Sequence, residues 1–164
     1  MLRLEASPSP RPHQPENWQI ISSTQWQRLR RLGSQKARRW LHQVAIPGPQ
    51  LLGSAADRFS YAELVEHPIR SSLCVVEPAE VRWRITTDFR GNRQVRASFK
   101  LAGTSYDLSV TDPGWTARLA NLRFGSYSNS EAGILGSQAI FLTVSLTEPF
   151  KGNCFKLIAA VIVL

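Results

Sequence analysis

The chain has 164 residues, 43% of them hydrophobic, and 20 Lys and Arg against 12 Asp and Glu give it a formal charge of +8. That length and apolar content suit one globular domain with an appendage, able to hold a core without metal or disulfide, and exclude a largely disordered chain. The basic excess favours a polyanionic partner through counterion release and steering, and the longest apolar run, 157–164, is too short to span a bilayer.

Residues 1–15 hold Pro8, Pro10, Pro12 and Pro15 and read as an extended, flexible, solvated tail. No apolar leader opens the chain, so no signal peptide is expected. Residues 16–70 read as a basic helical connector. Ser23 or Thr24 caps a first helix through QWQRLRRL, which Gly33 ends. Ser34 caps a second, QKARRWLHQVA, which presents Ala37, Trp40, Leu41 and Val44 at helical spacing and stops at Pro47–Pro49. A third, SYAELVEH, starts from Ser60 and stops before Pro68. Arg28, Arg30, Arg31, Lys36, Arg38 and Arg39 lie between Ser22 and Val44 with no acid among them. An ordinary solvated face mixes signs, so this run points to phosphates, with Arg28, Arg31, Arg38 and Arg39 as candidate contacts.

Residues 71–164 are patterned as β structure. SLCVVEP is a short apolar strand. EVRWRITT alternates Val81, Trp83 and Ile85 inward with Arg82 and Arg84 outward, and DFRGN turns the chain through Gly91. RQVRASFKL sends Val95, Ala97, Phe99 and Leu101 inward, and SYDLSVT does the same with Tyr106, Leu108 and Val110. The period then becomes helical: Thr111 or Asp112 is an N-cap, Pro113 is the first helical residue, and Trp115, Leu119 and Leu122 share a face. A Gly/Ser/Asn-rich loop covers 125–137, and two apolar strands, AIFLTVSLT and FKLIAAVIVL, close the chain. The fold class is mainly β with a helical N-terminal segment. Over 71–164 the order β-β-β-α-β-β is that of an OB-like five-stranded Greek-key barrel, with an SH3-like barrel or an open sheet as alternatives.

On adjacent strands about 4.8 Å apart, Arg82, Arg84, Arg93, Arg96 and Lys100 point the same way and can follow a phosphate backbone. Arg90 adds charge in the turn, Phe89 is the best-placed base stacker, and Tyr127 is the second. Asp107 is the one acid placed to neutralise much of this face. No nucleophile elbow, Walker loop, metalloprotease motif or paired-cysteine site occurs, and the acids do not converge. No catalytic residue, metal ligand or cofactor is therefore expected. Cys74 and Cys154 sit in separate apolar runs and read as buried free thiols, which fits a reducing cytoplasm. HQPENW, residues 13–18, reads as a hydrogen-bonding tether with Trp18 as its anchor.

HQPENW, SSLCVVEP, VRASFKLAGTSYDLSVTDPGW and VSLTEPFKGNCFKLIAAVI, in this order, resemble the bacterial dual OB-domain-containing proteins. The resemblance implies two OB-like barrels flanking a helical stretch, in proteins found near mobile-element and conflict genes. With a dozen residues ahead of HQPENW, the chain is expected to hold the connector and the second barrel, without most of the first. The expected function is non-catalytic RNA or DNA binding within a defence or mobile-element nucleoprotein complex. Two alternatives are a protein-interaction module pairing through its C-terminal strand, and a small-nucleotide sensor.

Overall fold

The computed structural model describes residues 2–3, 6–21, 27–28 and 32–164. In chain order the elements are β1 (Leu2–Arg3), β2 (Ala6–Pro8), β3 (Trp18–Ile20), β4 (Gln27–Arg28), α1 (Ser34–Val44), β5 (Arg58–Ser60) and α2 (Tyr61–Glu66). They continue with β6 (Leu73–Val76), β7 (Val81–Thr87), β8 (Arg93–Leu101), β9 (Thr104–Val110), α3 (Pro113–Arg118), β10 (Gly125–Tyr127), β11 (Ile140–Leu146) and β12 (Asn153–Val163).

Period-2 alternation builds the centre of the molecule. Val81, Trp83 and Ile85 of β7, Val95, Ala97, Phe99 and Leu101 of β8, and Tyr106, Leu108 and Val110 of β9 are all buried on one side. The strands are joined by tight turns; Ala102 and Gly103 both take positive φ, the pairing a two-residue hairpin needs. Within the main sheet the order is β10-β7-β8-β9-β12-β11-β6, with β5 added on β12. The β12–β9 pairing is parallel and the other pairings are antiparallel. Because β6 leads into β7 through residues 77–80, the strand at one end of this order adjoins β7 in sequence.

Asp112 begins α3 as its pattern predicts. One oxygen accepts from the Gly114 and Trp115 amides at 2.8 and 3.1 Å, and the other accepts from the Val161 amide at 2.8 Å. The cap thus ties the helix to β12. Trp115 packs on Trp83 with ring centroids 4.5 Å apart, and the Trp83 indole donates to Asn129 at 3.1 Å.

The connector docks on this sheet through individual polar side chains and one close backbone approach. Tyr106 donates to the Pro49 carbonyl at 2.6 Å and accepts from the Leu51 amide at 3.3 Å. Gly48, at φ +99°, leaves no room for a side chain, since a Cβ there would lie 2.7 Å from Leu101 Cγ. Lys156 of β12 is buried and donates to the Ser54 and Ala56 carbonyls, both at 2.6 Å.

Several expectations are corrected. The proline-rich segment is not simply a tail: β2 pairs antiparallel with β3, and Pro8 fits because the ladder is only two strands wide. The first expected helix lies largely outside the described residues; of its described residues, Gln27 and Arg28 are strand paired with Leu2–Arg3. α1 is present, but Ser34 is its first residue rather than its cap, and Gly33 holds the cap position without a side-chain bond. Of its expected apolar face Leu41 is buried, against Phe141 and Ala139, while Trp40 and Val44 are exposed. β10 forms where the sequence pattern reads as loop. The C-terminal strand is laddered to β11 from Lys156 to Val163, and on its other side to β5 over Asn153–Phe155 and to β9 over Leu157–Ile158. Beyond Ile158 the side of β12 away from β11 carries no ladder pairing among the described residues, and the Val161 amide donates to Asp112.

Candidate nucleic-acid interface

Opposite the core, the meander β7-β8-β9 presents a polar face. Register places Arg84 directly across from Arg96, and Asp107 across from Ser98. Two guanidinium groups facing one another across a ladder repel, and Asp107 resolves the conflict. Its carboxylate accepts from Arg84 Nη2 and, at 2.9 Å, from Arg96 Nε. Arg96 also donates to the Asp107 carbonyl at 2.7 Å and to Ser109 Oγ at 3.1 Å. Two of the expected free cations are therefore matched to a carboxylate, a correction to a fully open arginine face. One carboxylate between two arginines still leaves a positive excess, and Arg82 and Lys100 lie exposed on the same side. Glu131 lies near enough to Arg82 to feel its charge. Hydrogen bonds from the Ser128 amide and hydroxyl, then Arg82, hold its carboxyl below the ordinary range.

Arg93 is also reassigned. Its Nη2 donates to the Leu119 and Leu122 carbonyls at 3.0 and 2.6 Å, closing the end of the α3 segment, and its guanidinium lies 5.7 Å from the Phe124 ring centroid. A groove of about 440 Å³ runs beside it, past Gln94, Ser109, Thr111 and Thr116. Phe89 is 80% exposed at the β7–β8 turn, with the Arg90 guanidinium 5.1 Å from its centroid. Asp88 in this turn accepts from the Arg90 and Asn92 amides at 2.8 and 2.9 Å, which stiffens it.

Tyr127 is not available as a stacker in the way expected: it packs against the core and its hydroxyl donates to the Arg123 carbonyl at 2.8 Å. Phe124 is the exposed aromatic of this segment. It is 63% exposed and immediately precedes β10. No periodic signal marks it, and the pairing of Gly125 with Ile85, which brings it to the end of β7, is long-range.

On the connector, Arg38 and Arg39 are exposed on α1, as expected. Arg28 belongs to β4, and its side chain, like all of Arg31, lies outside what is described. Next to Arg38 a cleft of about 640 Å³ opens between α1 and the 128–140 loop. His42 Nδ1 and Glu77 Oε2 meet at its edge, 2.6 Å apart.

The HQPENW segment is a tether, but not through Trp18, which is exposed. Glu16 Oε1 accepts from the Ser72 amide, the Ser72 hydroxyl and the Ser71 hydroxyl at 2.7, 2.9 and 3.1 Å. Burial raises its pKa, and bonds from its own amide, Ser72 and Ser71 outweigh that and leave it lowered. Buried His13 meets Glu148 at 3.1 Å, and Arg11 donates to the same carboxylate at 2.8 Å. Cys74 and Cys154 are free thiols, Cys154 buried and Cys74 half-buried. Among the described residues, no helix is long and apolar enough to cross a membrane.

No curated protein and no solved structure matches the chain. A family model described as the Dual OB-containing domain matches residues 2–161. The chain, mainly β and built around this sheet, belongs to the Dual OB-containing domain family.

Proposed function

We propose that the chain is a non-catalytic module that binds nucleic acid on the outer face of β7-β8-β9. In this reading the five strands β7, β8, β9, β12 and β11, with α3 between the third and fourth in sequence, work as an OB-type Greek-key unit, in a sheet whose order ends at β10 and β6. The observation that carries it is the set of four cations, Arg82, Arg84, Arg96 and Lys100, on one solvent-facing side of adjacent strands, against the single strand carboxylate of Asp107. Side chains at strand spacing can track successive phosphates. Membership of an OB-containing family supports the same reading, since OB folds present a strand face to oligonucleotides. Exposed Arg38 and Arg39 would extend the contact from α1. The reading includes a place as one subunit of a larger nucleoprotein complex in a reducing cytoplasm, in the defence or mobile-element setting that the resemblance implies. The free thiols of Cys74 and Cys154 accord with that compartment.

Neutralising Arg82 and Lys100 together, as Arg82→Gln and Lys100→Gln, tests it. Fluorescence anisotropy with a labelled oligonucleotide should show weaker binding and a salt slope shallower by about 1 to 2, one for each lost phosphate contact. The melting temperature should hardly move, because both side chains are exposed. Unchanged affinity and slope would refute the assignment of this face.

A second reading, a small-nucleotide sensor, is favoured by one observation, the cleft beside Arg38 and the His42–Glu77 pair. A thermal-shift screen with mononucleotides tests it, and a null result across the set rejects it.

A further inference from the structure

At the end of β7 two phenylalanines stand in solvent. Phe89 occupies the tip of the β7–β8 turn and Phe124 the residue before β10. Register brings both to the same end of the sheet: Thr87 pairs with Arg93, and Gly125 pairs with Ile85. At 80% and 63% exposure neither ring is explained by packing in the core. Each has an arginine beside it, Arg90 at 5.1 Å and Arg93 at 5.7 Å from the ring centroids.

The supports under both rings are stiff. Arg93 is fixed by two carbonyls, and the Tyr127 hydroxyl holds the Arg123 carbonyl just ahead of Phe124. The turn below Phe89 is braced by Asp88, whose carboxylate faces the Arg90 and Asn92 amides. Preformed aromatic surfaces lose little conformational freedom on binding. An exposed ring next to a guanidinium offers what an unpaired nucleotide presents in complement: a flat π face for the base and a fixed cation for the phosphate.

We propose that Phe89 and Phe124, with Arg90 and Arg93, form a stacking platform for unpaired bases, so that the ligand is single-stranded nucleic acid. The proposal rests on the nucleic-acid reading above and adds strandedness to it. Paired bases are already stacked inside a duplex and cannot lie on these rings. The basic strand face would then hold the backbone while the platform holds the bases, and the preference for sequence would be weak because every base has a π face.

The test compares a labelled oligo(dT), an oligo(U) and a DNA duplex of the same length against three double variants of the full chain. The wild type should bind both single strands more tightly than the duplex. Phe89→Ala with Phe124→Ala should lose about 30-fold or more on the single strands, the effect of two lost stacking contacts, and change duplex affinity little. Phe89→Leu with Phe124→Leu, which keeps apolar bulk without a π face, should lose nearly as much, and Phe89→Trp with Phe124→Trp should restore binding. Single-strand binding by the Leu pair equal to wild type overturns the platform and points instead to an apolar docking patch. A wild type that prefers the duplex, or Ala variants that bind single strands normally, overturns the proposal while leaving the basic face in place. Wild-type protein that binds none of the three probes overturns both.

Discussion

Replacing Asp107 with asparagine should tighten nucleic-acid binding while slightly weakening the fold. In the native face one carboxylate serves Arg84 and Arg96, which sit directly across a ladder from each other. Asparagine keeps an acceptor oxygen of the same shape but removes the charge, so one or both guanidinium groups become available to phosphates. Counterion release makes one further phosphate contact worth about 5-fold in affinity near 0.1 M salt, and two worth about 25-fold, with a salt slope steeper by about 0.7 per contact on a single strand. The cost to the fold is small because the side chains are partly in water: Arg84 is 44%, Asp107 41% and Arg96 26% exposed. Pairs in that regime contribute about 0.2–1 kcal/mol each, and Arg96 retains its bonds to the Asp107 carbonyl and to Ser109. A total loss of about 1 kcal/mol lowers the melting temperature by about 2–4 °C. Anisotropy titrations at several salt concentrations, paired with thermal melts, read both effects. Weaker or unchanged binding beside a small loss of stability would refute the reasoning, because it would mean that charge on this face does not meet the ligand.

Three further outcomes concern the same structure. Glu16→Gln should loosen the N-terminal segment above pH 5 and leave wild type and variant alike in acid. The native carboxyl is lowered below its ordinary 4.5, so its stabilisation is full above that value and is lost as pH falls through its folded pKa; melts between pH 3 and 7 check this, and parallel curves would refute it. Lys156 is lowered to about 8 by burial, so the unfolded chain binds more protons above that pH and stability should rise between pH 8 and 9. Lys156→Met should remove that rise, and a rise that persists in the variant would contradict the assignment. The window stops at 9 because burial raises the Cys74 thiol to about 11, so above its ordinary 9.0 the folded chain keeps that proton and its contribution offsets the lysine's. Finally, neutralising Arg82 and Lys100 should flatten the salt dependence with little effect on melting, as set out above.

The parts of the fold that repeat locally are legible in the chain. Val81, Trp83 and Ile85 alternate with Arg82 and Arg84 because a strand with one buried face has no other way to be written. The Asp112–Pro113 pair announces a helix start by chemistry confined to three residues. Even the neutralising role of Asp107 follows from alternation, since it must share the face of Arg96. The rest depends on partners far away in sequence. β10 is three residues long, Gly125 to Tyr127, and only its register against β7 makes it a strand. Arg93 is three residues from Arg96, so alternation already sets it on the other side of β8, with Val95; what the pattern does not show is that carbonyls 26 and 29 residues on claim it. Trp18 is the conspicuous residue of its segment, whereas the tether is Glu16, whose three donors come from residues 71 and 72. Proline content likewise predicts an extended N-terminal segment, and cannot show that the extended chain finds a strand partner ten or more residues later.

Amide chemical-shift mapping of the full chain with a short single-stranded oligonucleotide at low salt tests the central claim most directly. The account predicts shifts concentrated at Arg82, Arg84, Arg96 and Lys100, with Phe89 and Phe124 at their end, and their disappearance as salt is raised. Shifts confined to β12 or to the 128–140 loop, or the absence of any shift at low salt, would contradict it.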